Sequence, residues 1–124
     1  MQDLKKYTIL IVDDDADLRA IMSTIFEERG FTILTADCGT GALEVFKSNK
    51  INLILTDMRM PNGDGLFLLE KIRELDPKNP PIIFVTGYSD ISENEFIAKG
   101  AAKVFTKPFD RRLLVAEVKR SLGL

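Results

Sequence analysis

Apolar residues fall along this chain in five short runs, each followed by a stretch of helical spacing. The first run, Thr8 to Val12, is continuous and rich in β-branched residues. A run with no polar alternate reads as a strand buried on both faces. Leu18, Ile21, Met22, Ile25 and Phe26 then recur at helical spacing, and Gly30 stops that helix. Phe31 to Thr35 predicts a second strand, and Ala42, Leu43 and Phe46 mark a short second helix. Ile51 to Thr56 predicts a third strand, bounded by Asp57. The stretch Met60 to Gly65 is punctuated by Pro61, Gly63 and Gly65 and reads as a loop, with Asp64 placed to cap the next helix. Leu66, Leu69 and Ile72 give that third helix, which stops near Pro77. Pro81 to Thr86 predicts the fourth strand, and Ser89 to Lys99 the weakest helix, ended by Gly100. Ala102 to Thr106 is the fifth strand, and Asp110 caps a last helix carrying Leu113, Leu114, Val118 and Leu122.

Strands alternating with helices demand a parallel sheet with helices on both faces, joined by right-handed crossovers. The expected fold is therefore α/β, a doubly wound (βα)5 domain over residues 1–124 with five parallel strands. In such a sheet, ligands bind beyond the carboxyl ends of the strands.

Composition narrows the chemistry. With 45% hydrophobic and 29% charged residues, 124 residues suffice for one globular core. A net charge of −2 argues against direct nucleic-acid binding, which needs a basic face. Cys38 is the only cysteine, so no internal disulfide forms. The start of the chain lacks the apolar stretch of a signal peptide, and no run is long enough for membrane insertion, so a cytoplasmic location is expected. The chain has no histidine, which removes Ser-His and Cys-His nucleophile systems and any role as its own phosphohistidine donor.

Four strand ends carry polar groups. Asp13, Asp14 and Asp15 follow the first strand, Asp57 the third, Thr86 ends the fourth, and Lys107-Pro108 follows the fifth. Carboxylates brought together repel one another. A hard divalent cation with oxygen ligands relieves that repulsion, and so does a fixed ammonium. Acids, a cation position, a lysine and a threonine hydroxyl suit phosphoryl transfer, in which charge on the moving oxygens must be neutralised. A carboxylate can itself be the nucleophile, and Asp57 stands alone after the central strand. Taken singly, these residues have plainer explanations: Asp15 and Asp17 as caps or solvated acids, Lys-Pro as a turn, Thr86 as a strand former. Four in the right order favour a site.

The motifs ILIVDDDADLR, LILTDMRMPNGDG, IIFVTG and FTKPF, in this order, resemble those of response regulator receiver domains of two-component signalling, of the single-domain chemotaxis-regulator type. The resemblance covers essentially the whole chain and implies the flavodoxin-like strand order 2-1-3-4-5. It implies that Asp57 accepts a phosphoryl group from a phosphohistidine on a sensor histidine kinase or phosphotransfer protein. It implies a Mg2+ ligated by Asp14, Asp57 and the Arg59 backbone carbonyl, with Asp13 reaching it through water. Lys107 would contact the phosphoryl group, Thr86 would bond one of its oxygens, and Lys107-Pro108 would be cis. Phosphorylation would then change the face formed by the fourth helix, fifth strand and fifth helix, for binding a target protein, an output domain or a second copy. Arg59 and Tyr88 flank the site where the family tunes autodephosphorylation, and two bulky side chains there predict a long-lived phosphoryl state.

Other readings fit less well. A haloacid dehalogenase phosphatase would use Asp13-x-Asp15, but Asp17 stands where that family expects Thr or Val. A flavodoxin would carry a Ser, Thr and Gly-rich loop after the first strand, where this chain has three carboxylates; Gly39-Thr40-Gly41 reads better as a helix start. The remaining alternative is a receiver-like docking or dimerisation module insensitive to phosphate. It draws support from Val104, which occupies the position of the family's switch aromatic, three residues before the lysine, while Phe105 points to the opposite side of the strand. The switch is expected to be weaker or differently routed. Substituting Val104→Tyr should change partner affinity on phosphorylation; unchanged affinity with and without phosphate would refute that expectation.

Overall fold

The computed structural model of the protein describes residues 3–87 and 92–124. Five strands, β1 (Thr8–Val12), β2 (Thr32–Ala36), β3 (Leu53–Thr56), β4 (Ile82–Thr86) and β5 (Lys103–Thr106), form one parallel sheet in the order β2-β1-β3-β4-β5. Helices α1 (Ala16–Glu27), α2 (Gly39–Ser48), α3 (Gly65–Leu75), α4 (Glu93–Ala98) and α5 (Arg111–Ser121) cover both faces. The expected fold class and strand order are those observed.

Residues Ile9 to Val12 of β1 are wholly buried, as the continuous apolar run predicts. Alternation sends Ile9 and Ile11 to one face, with Met22, Ile25 and Phe26 of α1 and Leu114, Val115 and Val118 of α5. Leu10 and Val12 go to the other face, with Ala42 of α2, Leu68, Leu69 and Ile72 of α3 and Phe96 of α4. The same alternation puts Val104 on the second face, opposite Phe84, and packs Phe105 against the first.

Several boundaries differ from the sequence reading. The second strand starts at Thr32 rather than Phe31, because Phe31 turns inward, edge-on to Phe26 at 6.0 Å between ring centroids. The third starts at Leu53; Asn52 before it donates its amide to the Thr8 carbonyl at 2.9 Å and accepts from the Thr8 amide with its side chain at 2.9 Å. The fourth starts at Ile82 because Pro81 has no N–H to give. The fifth starts at Lys103. Of the predicted fourth helix, the described part begins at Glu93 behind Ser92, whose side chain accepts from the Glu95 amide; residues 88–91 lie outside the described residues. A short 3-10 turn, Leu4–Lys6, is an element that the apolar pattern does not mark. The apolar stripes also include outward positions: Ile21 and Leu113 are 49% and 61% exposed.

Helix starts follow the polar residues that precede them. Asp15, Asp64 and Asp110 accept hydrogen bonds from first-turn amides of α1, α3 and α5. Gly30 and Gly100, past the ends of α1 and α4, hold the left-handed backbone that such ends favour. At the sheet edge remote from Asp57, the half-buried Arg73 guanidinium donates to the carbonyls of Gly100 at 3.0 Å, Pro80 at 2.8 Å and Asp76 at 3.4 Å. The peptide bonds Asn79-Pro80 and Lys107-Pro108 are cis, the second as the resemblance implied.

Helix α4 has one fully buried side chain, Phe96, whose ring lies 4.5 Å from that of Phe84. Phe96→Ala should therefore destabilise the fold by about 3–5 kcal/mol, read from urea unfolding. Ile97→Ala, at a position 44% exposed, should stay within about 0.5 kcal/mol.

Candidate functional site

The predicted residues meet at the carboxyl edge of the sheet. Asp13 follows β1 and is wholly buried. Its Oδ1 accepts from the Asp15 amide at 2.9 Å and its Oδ2 from Lys107 Nζ at 3.0 Å. Asp57 follows β3 and is almost as deep. Its Oδ1 accepts from the Met58 amide at 2.7 Å and its Oδ2 from the same Lys107 Nζ at 2.9 Å. One ammonium thus spans the ends of β1 and β3. Lys107 is set in place by the ladder, its own amide donating to the Thr86 carbonyl at 2.9 Å. Thr86 ends β4 on the same face as Phe84 and is buried. Asp14 is exposed at the mouth. Arg59 lies two residues beyond Asp57 and is exposed. Tyr88 lies outside the described residues.

Asp13, Asp14 and Asp57 each offer an oxygen atom, all within 4.8 Å of one another. Three carboxylates on one side of a pocket, with oxygens only, fit a hard divalent cation. Asp15 stays out of this group: its carboxylate accepts from the Asp17 and Leu18 amides and caps α1. That removes the Asp-x-Asp pair which the dehalogenase reading required.

Two residues at the site do not stand out in the sequence. Arg19 donates to the Asp13 carbonyl at 2.6 Å, fixing the backbone that presents Asp13 and Asp14. Thr56, buried on β3, donates its hydroxyl to the Asp57 carbonyl at 2.9 Å. Arg19 closes the motif ILIVDDDADLR, so its presence is visible there but its bond is not. Thr56 looks like any strand threonine.

These elements place the chain among known proteins. The model of the response regulator receiver domain matches residues 9–119. The chain belongs to the response regulator receiver family. The receiver protein CpdR of Brucella abortus is 36% identical over 92% of this chain and 95% of its own length. DctD of Rhizobium meliloti, a C4-dicarboxylate transport transcriptional regulatory protein, is 37% identical over 92% of this chain, which spans only 25% of DctD. A CheY-like receiver domain of Methanospirillum hungatei has a TM-score of 0.88 at 31% identity, covering 94% of each chain. Receiver domains act in two-component signalling and typically bind Mg2+ at the acidic pocket, the place held here by Asp13, Asp14 and Asp57. Among the described residues, no helix is long and apolar enough to cross a membrane.

Electrostatics in the receiver pocket pull two ways. Burial pushes the Asp13 carboxyl above its ordinary value, against the opposing pull of the Asp15 amide and Lys107, and the Asp57 charge adds to the rise. Burial alone would lower Lys107, but Asp57 and Asp13 outweigh it and hold the ammonium above its ordinary value. Lys107 is therefore charged throughout the physiological range. The ionised Asp13 costs stability at neutral pH, because its folded value lies above its unfolded one. That cost fades as pH falls through the window between the two. In metal-free protein, the Asp13 carboxyl carbon followed by NMR should titrate above its ordinary value, and Lys107→Met should push it higher still. A titration at or below the ordinary value would contradict this account.

Proposed function

We propose that Asp57 is the phosphoacceptor of this receiver domain, and that residues 1–124 act as one such domain. The observation that carries the reading is the Lys107 ammonium, bonded at once to Asp57 Oδ2 and Asp13 Oδ2. Its position beside the nucleophile is where charge on an arriving phosphoryl group needs neutralising. One Asp57 oxygen attacks phosphorus, the P–N bond of a phosphohistidine breaks, and its electron pair stays with the imidazole. The absence of histidine fits a recipient.

Asp13, Asp14, Asp57 and the Arg59 backbone carbonyl are the residues that would hold Mg2+. When bound there, the ion would supply positive charge for the transferring oxygens. Asp57 lies buried beside the exposed Asp14, the side from which a donor would reach it. Thr86 would then donate to a phosphoryl oxygen, and its movement would alter the surface of α4, β5 and α5. Partners are a sensor histidine kinase or phosphotransfer protein on the input side, and a target protein, an output domain or a second phosphorylated copy on the other. The cytoplasm is the matching location. The domain also promotes its own dephosphorylation, slowly, with Arg59 and Tyr88 shielding the acyl phosphate.

Incubation with acetyl phosphate and Mg2+ should add one phosphoryl group by intact mass, and Asp57→Asn or chelation should abolish the gain. No gain with a small donor or with a histidine kinase would favour a phosphate-insensitive docking module. Loss of phosphate should accelerate several-fold in Arg59→Ala and Tyr88→Ala; rapid loss unchanged by either would dispose of the shielding role.

A further inference from the structure

The loop between β3 and α3, residues 57–64, carries Asp57 and Arg59 and is fastened at two places. At its base the Gly65 amide donates to the Met58 carbonyl at 2.7 Å, while Met58 donates to Asp57 Oδ1. At its tip the chain passes through the left-handed region twice, at Asn62 (φ 58°) and Gly63 (φ 99°), which presents both carbonyls to the start of α2. The Gly39 amide donates to the Gly63 carbonyl at 2.7 Å, and the Thr40 amide to the Asn62 carbonyl at 3.1 Å. The Thr40 hydroxyl donates to the same Asn62 carbonyl at 2.7 Å.

The first amides of a helix have no partner within it. In α2 they are fully assigned. Gly39 and Thr40 bond the loop, Gly41 bonds the Cys38 thiol at 3.3 Å, and Ala42 makes the first intrahelical bond, to the Cys38 carbonyl. The fit is also steric. A Cβ on Gly39 would stand 2.6 Å from the Gly63 oxygen, and one on Gly63 would stand 2.9 Å from the Thr40 nitrogen. Between the two fastenings lie only Arg59 to Pro61, and the Met60 side chain is buried in the core. The Arg59 carbonyl thus sits on a short arc with both ends and its middle held.

We infer that the start of α2, through Gly39 and Thr40, is a positioning element that fixes the phosphoacceptor loop and with it the Arg59 carbonyl. The inference rests on the reading of this loop as the Mg2+ site. Thr40 touches neither ion nor phosphoryl group. It acts through Asn62, and its loss is felt as a looser third ligand rather than as a lost nucleophile.

The test is calorimetric titration of Mg2+ into wild type, Thr40→Val and Thr40→Ser, with thermal midpoints measured in chelator. Valine keeps the shape and helix preference of threonine and the amide bond to Asn62, but its side chain gives no hydrogen bond. Thr40→Val should weaken Mg2+ binding by about threefold to tenfold, and Thr40→Ser should restore it. The rate of phosphorylation by acetyl phosphate at saturating Mg2+ should stay within about twofold of wild type, since losing one neutral hydrogen bond acts on the ligand and not on the nucleophile. Gly39→Ala should weaken binding further. A lower midpoint with an unchanged Mg2+ affinity in Thr40→Val would make Thr40 merely stabilising and overturn the inference while leaving the phosphoacceptor site intact. Absence of Mg2+ binding in wild type would overturn both.

Discussion

Asp13 and Asp57 stand at neighbouring strand ends, both withdrawn from water, and their ionised forms repel unless a cation lies between them. Lys107 supplies that cation from the far side of the sheet edge. Removing Lys107 would leave both buried carboxylates without their counter-charge, at a cost of about 3–5 kcal/mol. The rest of the fold is arranged around meeting this requirement. Strands β1 and β3 are adjacent, so their terminal acids are close, and β5 lies two strands further on, so the lysine must reach inward to both. A lysine has the length for this and keeps its charge there.

The sheet makes the arrangement rigid. Its central strands are buried on both faces, and helices pack against both. The acids therefore cannot relax apart by moving their backbone. The adjustable quantity is the population of ions and phosphoryl groups that enter the pocket, and this gives a receiver its sensitivity to small changes in charge.

Most of the fold was legible in the sequence because parallel strands with buried faces leave unbroken apolar runs, as in Thr8 to Val12. Boundaries were less legible where a polar side chain takes up a bond beside the backbone at the strand start, as with Asn52, or where an aromatic turns inward, as with Phe31. Ile21 and Leu113 carry helical spacing yet face outward, since periodicity marks a stripe and not its edges. The site was legible through the order of polar residues at strand ends, which the topology brings together. Its supporting bonds were not. Thr56, Arg19 and Thr40 are ordinary residues in a linear reading, and their contribution exists only once loops and helix ends have met.

The Arg73 clasp also bears on how α4 can move. The guanidinium ties the chain just past the end of this helix to two other turns, at the edge of the sheet remote from the phosphoacceptor. The opposite end of α4 is reached through the segment that leaves β4 beside Thr86. Among the described residues the helix spans six positions; Phe96 is its one buried side chain, and Glu93 pairs with Lys103 of β5 at 3.6 Å. Its mounting is therefore uneven, with three hydrogen bonds gathered at the base and a single ring seated in the core. Any force that the phosphoacceptor edge exerts on α4 acts against a base that is already pinned.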